Sequence, residues 1–127
     1  MAGAAVLPRF SFANVEVPHL GIQLWSVRED MGKDAAGTIK ALAKTGYKEV
    51  EGFGYSDGKM FGMPYKDFIN LLKDNGITMP SSHVMFDSKS FDPATKALSD
   101  AAKKAIDDAV SGGQKYIVNP YMVDPDR

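Results

Sequence analysis

Six side chains stand at or just past the far ends of short apolar runs and have the chemistry to handle a small polar molecule: Gln23, Trp25, Glu51, Phe53, His83 and Asn119. Glu51 and His83 are the candidate catalytic residues, because a carboxylate and an imidazole can take up and return a proton near neutral pH. A carboxylate at a strand end is costly to bury alone, so Glu51 either meets a ligand or pairs with a neighbouring cation. His83 can bind a metal, bond a hydroxyl group, or serve only as a structural side chain. Gln23 and Asn119 are amides that both donate and accept, which suits a polyol, although a barrel interior would use them equally well. Trp25 and Phe53 offer flat apolar walls of the kind that stack on sugar rings or plug a core. The substrate-binding candidates are therefore Gln23, Trp25, Phe53 and Asn119, and no residue is assigned as a metal ligand.

A repeated pattern must position these residues. Helix-like stretches over 34–45, 64–75 and 92–111 each run into glycine, at Gly46, Gly76 and Gly112–Gly113, and then into apolar runs over 47–53, 77–84 and 115–119. With a strand over 20–25 in front, this is one strand followed by three helix–strand units. Such alternation predicts an α/β fold with a parallel sheet covered by helices, since parallel pairing needs crossover connections. In sheets of this kind the carboxyl ends of the strands line the ligand site.

The individual elements carry local signals. Leu20, Ile22 and Leu24 fall on one face of the first strand, with Gly21, Gln23 and Trp25 on the other. Residues 28–33 read as a polar loop, and Asp34 as the N-cap of a helix carrying Ile39, Leu42 and Ala43 inward. Pro64 opens the second helix, whose stripe is Tyr65, Phe68, Ile69 and Leu72. Asp92 followed by Pro93 reads as the start of the third, with Leu98, Ala101, Ala102, Ala105, Ile106 and Ala109 as its apolar face. The strand over 116–118 is wholly apolar, which fits burial on both faces. In the third strand, turning His83 toward the cavity sends Thr78, Pro80 and Ser82 toward the helices, a polar set that admits a one-residue slip of register. His19 is expected to be exposed at the opposite end.

Bulk properties exclude several function classes. The chain has 127 residues, 44% hydrophobic and 24% charged, the balance of a folded globular protein and enough for one domain. A net charge of −1 gives no pull toward nucleic acid. There is no cysteine, which removes disulfides, thiol nucleophiles and thiolate metal sites. No apolar stretch approaches the roughly 20 residues of a membrane span. Residues 1–13 read as a leader: small apolar residues, then Ser11, Phe12 and Ala13 in the pattern a signal peptidase cuts. It is either the remnant of an export signal, placing the protein in the periplasm or outside, or a leader on a cytoplasmic protein.

The units recur at roughly 30 residues, the size of a strand–helix pair in an eight-stranded barrel of about 250 residues. Four strands cannot close such a barrel alone. The expectation is a fragment, a truncated product, or a half-barrel that self-associates through its open sheet edges.

The sequence resembles the sugar phosphate isomerase/epimerase family, which has a xylose isomerase-like TIM barrel. The resemblance lies in Gly21-Ile22-Gln23-Leu24-Trp25-Ser26-Val27-Arg28, in Gly46-Tyr47-Lys48-Glu49-Val50-Glu51, in Ser81-Ser82-His83-Val84 and in Lys115-Tyr116-Ile117-Val118 after its glycines. It covers about residues 19–121 and implies that residues 14–127 form the amino-terminal half of such a barrel, with four strands and three helices. It further implies a carbohydrate isomerase or epimerase that moves a proton next to a carbonyl with help from a divalent metal (Mn, Mg or Zn). Most of the metal ligands would lie on later strands, leaving this chain the half that lines the sugar and little activity alone.

Two rivals share these residues. One is a metal-dependent endonuclease or phosphoesterase on the same barrel, which two histidines and a negative chain disfavour. The other is a non-catalytic carbohydrate-binding or assembly module. The glycine-rich stretch 52–58 superficially matches a dinucleotide loop, but its third glycine is one position late and no helix follows at once. It reads instead as a flexible loop, a lid or specificity loop above the barrel mouth, with Met60, Phe61 and Met63 touching substrate or covering the neighbouring half.

Overall fold

The computed structural model describes residues 19–122, so the leader over 1–13 lies outside the described residues. Four parallel strands form the main sheet: β1 (Gly21–Gln23), β2 (Glu49–Gly52), β5 (Thr78–His83) and β8 (Tyr116–Val118), in the order β1-β2-β5-β8. Helices α2 (Ala35–Lys44), α3 (Tyr65–Asp74) and α4 (Asp100–Ser111) make the crossovers between them. Two small antiparallel hairpins are inserted, β3 (Lys59–Met60) with β4 (Met63–Pro64), and β6 (Phe91–Asp92) with β7 (Ala97–Leu98). The architecture is the α/β partial barrel that the sequence pattern predicts. No helix among the described residues is long and apolar enough to cross a membrane.

Each crossover helix ends in the same way. The amides of Tyr47, Ile77 and Gln114 donate to the carbonyls of Leu42, Leu72 and Ala109 five residues earlier. This closure requires a left-handed residue at the turn, and Gly46, Gly76 and Gly113 supply it. At the other end, Asp34 caps α2 by accepting from the Gly37 amide at 2.9 Å. The buried faces of α2 (Ala35, Ile39, Leu42) and α3 (Tyr65, Phe68, Ile69, Leu72) join Leu24, Val50, Met60, Ile77 and Met79 in one core on the outer side of the sheet.

Several local expectations are corrected. The first strand stops at Gln23, and Leu24–Val27 form a 3₁₀ turn that runs into α1 (Arg28–Lys33) where a loop was expected. Met31, 2% exposed, ties that short helix to the core. Asp92 does not start a helix: its carboxylate accepts from the amides of Ala94 and Thr95 and from the Thr95 hydroxyl, closing the β6–β7 turn. Ser99 is the cap of α4, and Leu98 is an exposed strand residue. β8 is not buried on both faces, since it pairs only with β5 among the described residues and leaves Tyr116 68% exposed.

The loop over 52–64 is two tight hairpin turns in succession. Asp57–Gly58 and Phe61–Gly62 all have positive φ, the geometry of two-residue turns that match strand twist. Met60 between them is fully buried. The segment is a strap pinned to the core through Met60.

In β5 the simple alternation breaks, and the register shifts by one residue part-way along the strand. Thr78 pairs with Glu49 and Ser81 with Glu51, so three steps on β5 span two on β2. This is a bulge, a setting in which mid-strand proline is tolerated, and Pro80 lies within it. Ile77 and Met79 before it, and Ser82 and Val84 after it, are all buried, although the two pairs differ in parity. Ser82 is satisfied there by donating to Gln114 Oε1 at 2.8 Å, and Gln114 Nε2 donates to Tyr65 Oη at 2.6 Å.

Candidate functional site

The bulge has a direct consequence for the sheet's inner face, because it leaves Ser81 and His83 on the same side as Glu51. Gln23 and Glu51 are partners in the β1–β2 register, and Glu51 and Ser81 in the β2–β5 register. Three neighbouring strands thereby deliver one polar cluster. Gln23 Nε2 donates to Glu51 Oε1 at 2.8 Å, and Ser81 Oγ donates to Glu51 Oε2 at 2.7 Å. His83 Nε2 lies 3.1 Å from Glu51 Oε1 and 3.2 Å from Gln23 Nε2.

Both members of the carboxylate–imidazole pair are partly open to solvent, at 30% for Glu51 and 26% for His83. Burial opposes ionisation of Glu51, but the hydroxyl of Ser81, the amide of Gln23 and the His83 ring together outweigh it and hold the carboxyl below its usual range. An ionised Glu51 favours the imidazole tautomer with its proton on Nε2, donated to Oε1. Nδ1 then carries the lone pair, and it has no hydrogen-bond partner among the described residues.

Replacing Glu51 with glutamine tests this electrostatic account. A folded-state pKa below the unfolded value adds stability that is fully present above the unfolded pKa and is lost as pH falls through the folded one. Glu51→Gln is therefore expected to flatten the fall of Tm as pH drops through and below the ordinary carboxylate range. An unchanged slope would assign the acid sensitivity to other carboxylates.

Beside the cluster opens a cavity of about 390 Å³, walled by Trp25, Phe53, Tyr55, Met85 and Tyr121, with Gln23 and His83 as polar contributors. Trp25, 54% exposed, sits on the 3₁₀ turn after β1. Its ring meets Phe53 edge-on at 5.1 Å, Phe53 meets Phe61 at 5.0 Å, and Phe61 meets the buried Phe68 at 5.2 Å. An aromatic file thus joins the cavity wall to the core. Tyr55 is anchored from the side by donating to Asp108 Oδ2 at 2.6 Å, and burial with the Asp108 charge pushes its phenol well above its ordinary pKa, so it stays protonated.

Asn119 is not in this cavity. Its side chain brackets the Phe86 backbone, accepting from the amide at 3.3 Å and donating to the carbonyl at 3.1 Å, beside the β6–β7 hairpin. Ser81, Tyr55, Met85 and Tyr121 are the participants that sequence reasoning passed over. Ser81 alone had a legible signal, two residues before His83 on the same face. A second cavity of about 390 Å³ lies at the opposite end, among Leu72, Lys73, Met79, Gly112 and Lys115. None of the six candidates lines it, and that face of such folds serves stability. His19 is also at that end, exposed and 3.6 Å from Glu49.

A crystal structure of a sugar phosphate isomerase/epimerase from Parabacteroides distasonis ATCC 8503 matches 82% of this chain at 28% identity with a TM-score of 0.66. The fold is a partial TIM barrel of the sugar phosphate isomerase/epimerase kind. A second such structure from the same organism matches 96% of the chain with a TM-score of 0.65, at 20% identity, which speaks for the fold alone. This chain spans 42% and 44% of the lengths of those two proteins. No protein-family model matches the sequence, and comparison with curated proteins gives no significant match.

Among the described residues no group of three His, Cys, Asp or Glu side chains is placed to hold a metal. Glu51 and His83 offer two donors already bonded to each other, so they do not compose a cation site on their own.

Proposed function

We propose that this chain supplies the sugar-lining half of a carbohydrate isomerase or epimerase site, where a proton moves at the carbon next to a carbonyl. The observation that carries this reading is the Gln23–Glu51–Ser81–His83 cluster at the carboxyl ends of three parallel strands, opening beside an aromatic-walled cavity. Amide, carboxylate and imidazole match the donors and acceptors of a polyol, and Trp25 and Phe53 match the apolar face of its ring.

His83 is the group assigned to the proton. Glu51, with both oxygens engaged and its acidity raised, is a weak base but a good orienter of the imidazole. A divalent metal, if recruited with ligands from elsewhere, would polarise the carbonyl oxygens. The test is solvent exchange: ketoses are incubated with the protein in D₂O, and loss of the proton next to the carbonyl is followed by NMR. Exchange that depends on His83 supports the assignment. Sugar binding with no exchange would confine this chain to lining the sugar, as a half-site or as a carbohydrate-binding module.

A further inference from the structure

We infer that Asp108 is a positioning residue for the cavity beside Trp25: from the outer helix layer it fixes where the Tyr55 ring stands in the cavity wall. The inference takes that cavity as the sugar site proposed above, and it adds a control point on α4, a helix that supplies no side chain to the lining. Tyr55 lies between the end of β2 and the strap, and Gly54 before it has a left-handed φ of 76°. Regular pairing in β2 therefore does not set its direction. Its ring is instead gripped at two places: the Tyr65 ring meets it edge-on at 5.7 Å, and its hydroxyl donates to Asp108 Oδ2 at 2.6 Å. With that proton engaged on α4, Tyr55 offers the cavity aromatic surface and no donor.

The anchor is itself held. Lys104 Nζ, one helical turn before Asp108, lies 3.0 Å from the same oxygen and keeps the carboxylate directed toward the strap. Gly58 makes room for this pair, since a Cβ there would stand 2.8 Å from Lys104 Cε and 2.9 Å from Nζ. The buried face of α4 is Ala102, Ala105 and Ala109. Alanine ridges are shallow, so they define the seat of a helix less sharply than larger interlocking side chains do. Polar ties complete the definition: Asp108 to Tyr55 and, just past the helix end, Gln114 to Tyr65 and Ser82. The placement of α4 thus reaches the cavity wall through Asp108.

The test combines two readouts on the full chain. Trp25 is the single tryptophan and stands on the same wall, so its emission follows titration with D-fructose or D-xylulose. Ring-labelled tyrosine gives NMR signals for Tyr55, identified by their loss in Tyr55→Phe. Asp108→Ala is expected to shift those signals and to weaken ketose binding about two- to tenfold, the range of one hydrogen bond. Tyr55→Phe should weaken binding to the same extent, and the double variant should add nothing further. Asp108→Asn, whose amide oxygen still accepts, should recover most of the loss and return the ring signals toward their native positions. Weaker binding in Tyr55→Phe but not in Asp108→Ala overturns the inference, because the hydroxyl would then contact the ligand itself. An Asp108→Ala effect that persists in full in the Tyr55→Phe background also overturns it, since Asp108 would then act by another route. If neither ketose binds the unmodified protein, the sugar-site reading fails and the ring signals decide alone. Unmoved in Asp108→Ala, they overturn the positioning role; shifted there and restored in Asp108→Asn, they uphold it.

Discussion

Truncating Phe68 to alanine is expected to cost about 3–5 kcal/mol of stability, the range for removing a fully buried phenyl ring. Phe68 has no exposed surface and sits on α3 facing the sheet, so no solvent can fill the space it leaves without opening the core. For a chain of this size each kcal/mol lowers Tm by about 4 °C. The effect reaches the candidate site because Phe68 ends the aromatic file through Phe61 and Phe53 to Trp25. Phe61 holds a left-handed φ of 51°, costly for an aromatic residue, and its packing against Phe68 offsets that strain. Without the Phe68 ring, the strap over 56–64 loses its anchor and the Trp25 environment should change. Phe68→Leu keeps most of the volume and should show a smaller loss of Tm with the same sense of change in Trp25 emission. A large fall in Tm with unaltered emission in the folded variants would show that the cavity wall stands independently of the core.

The order of the main elements was legible because helix ends and strands signal locally. The glycines at 46, 76 and 113 mark left-handed turns whatever surrounds them, and the stripes on α2 and α3 follow the helical period. Where the sequence misled, one chemical signal served two geometries. The Asp92 carboxylate accepts from amides two and three residues on, as a helix cap would, yet Lys96 turns left-handed and Leu98 pairs back to Phe91. Asp57–Gly58 was a readable hairpin turn hidden within a glycine-rich stretch. Phe61–Gly62 was not readable, because only the tertiary contacts of the Phe61 ring make its backbone acceptable.

The site was partly legible for a related reason. Gln23, Glu51 and His83 converge because they occupy equivalent ends of adjacent strands, which strand order alone predicts. That Ser81 completes the cluster depends on the bulge at Pro80, and a period-two reading takes no account of an inserted residue. Asn119 lies just beyond its strand end too, but the loop after β5 folds back and its Phe86 backbone takes up the amide. Position at a strand end thus selects candidates. The loops decide which of them remain free for a ligand.

That distinction sets the expected outcome of substituting His83. His83→Asn keeps a polar side chain beside Glu51, whose bonds to Gln23 and Ser81 remain, so Tm should change little. Carbon-bound proton exchange should fall by about 10²–10⁴-fold, the usual contribution of a positioned general base. Glu51→Gln should lower exchange less, because the imidazole survives and loses only the partner that fixes its tautomer. Ser81→Ala should have a smaller effect again, since it frees one oxygen of Glu51 and leaves the His83 contact on the other. The order of these three losses discriminates between mechanisms. If Glu51→Gln abolishes exchange while His83→Asn retains it, the carboxylate is the base, and the ionised, doubly bonded Glu51 must release one of its donors when substrate binds. Equal and complete losses in both would mark the pair as a single unit, as occurs when a base acts only in the orientation its partner imposes.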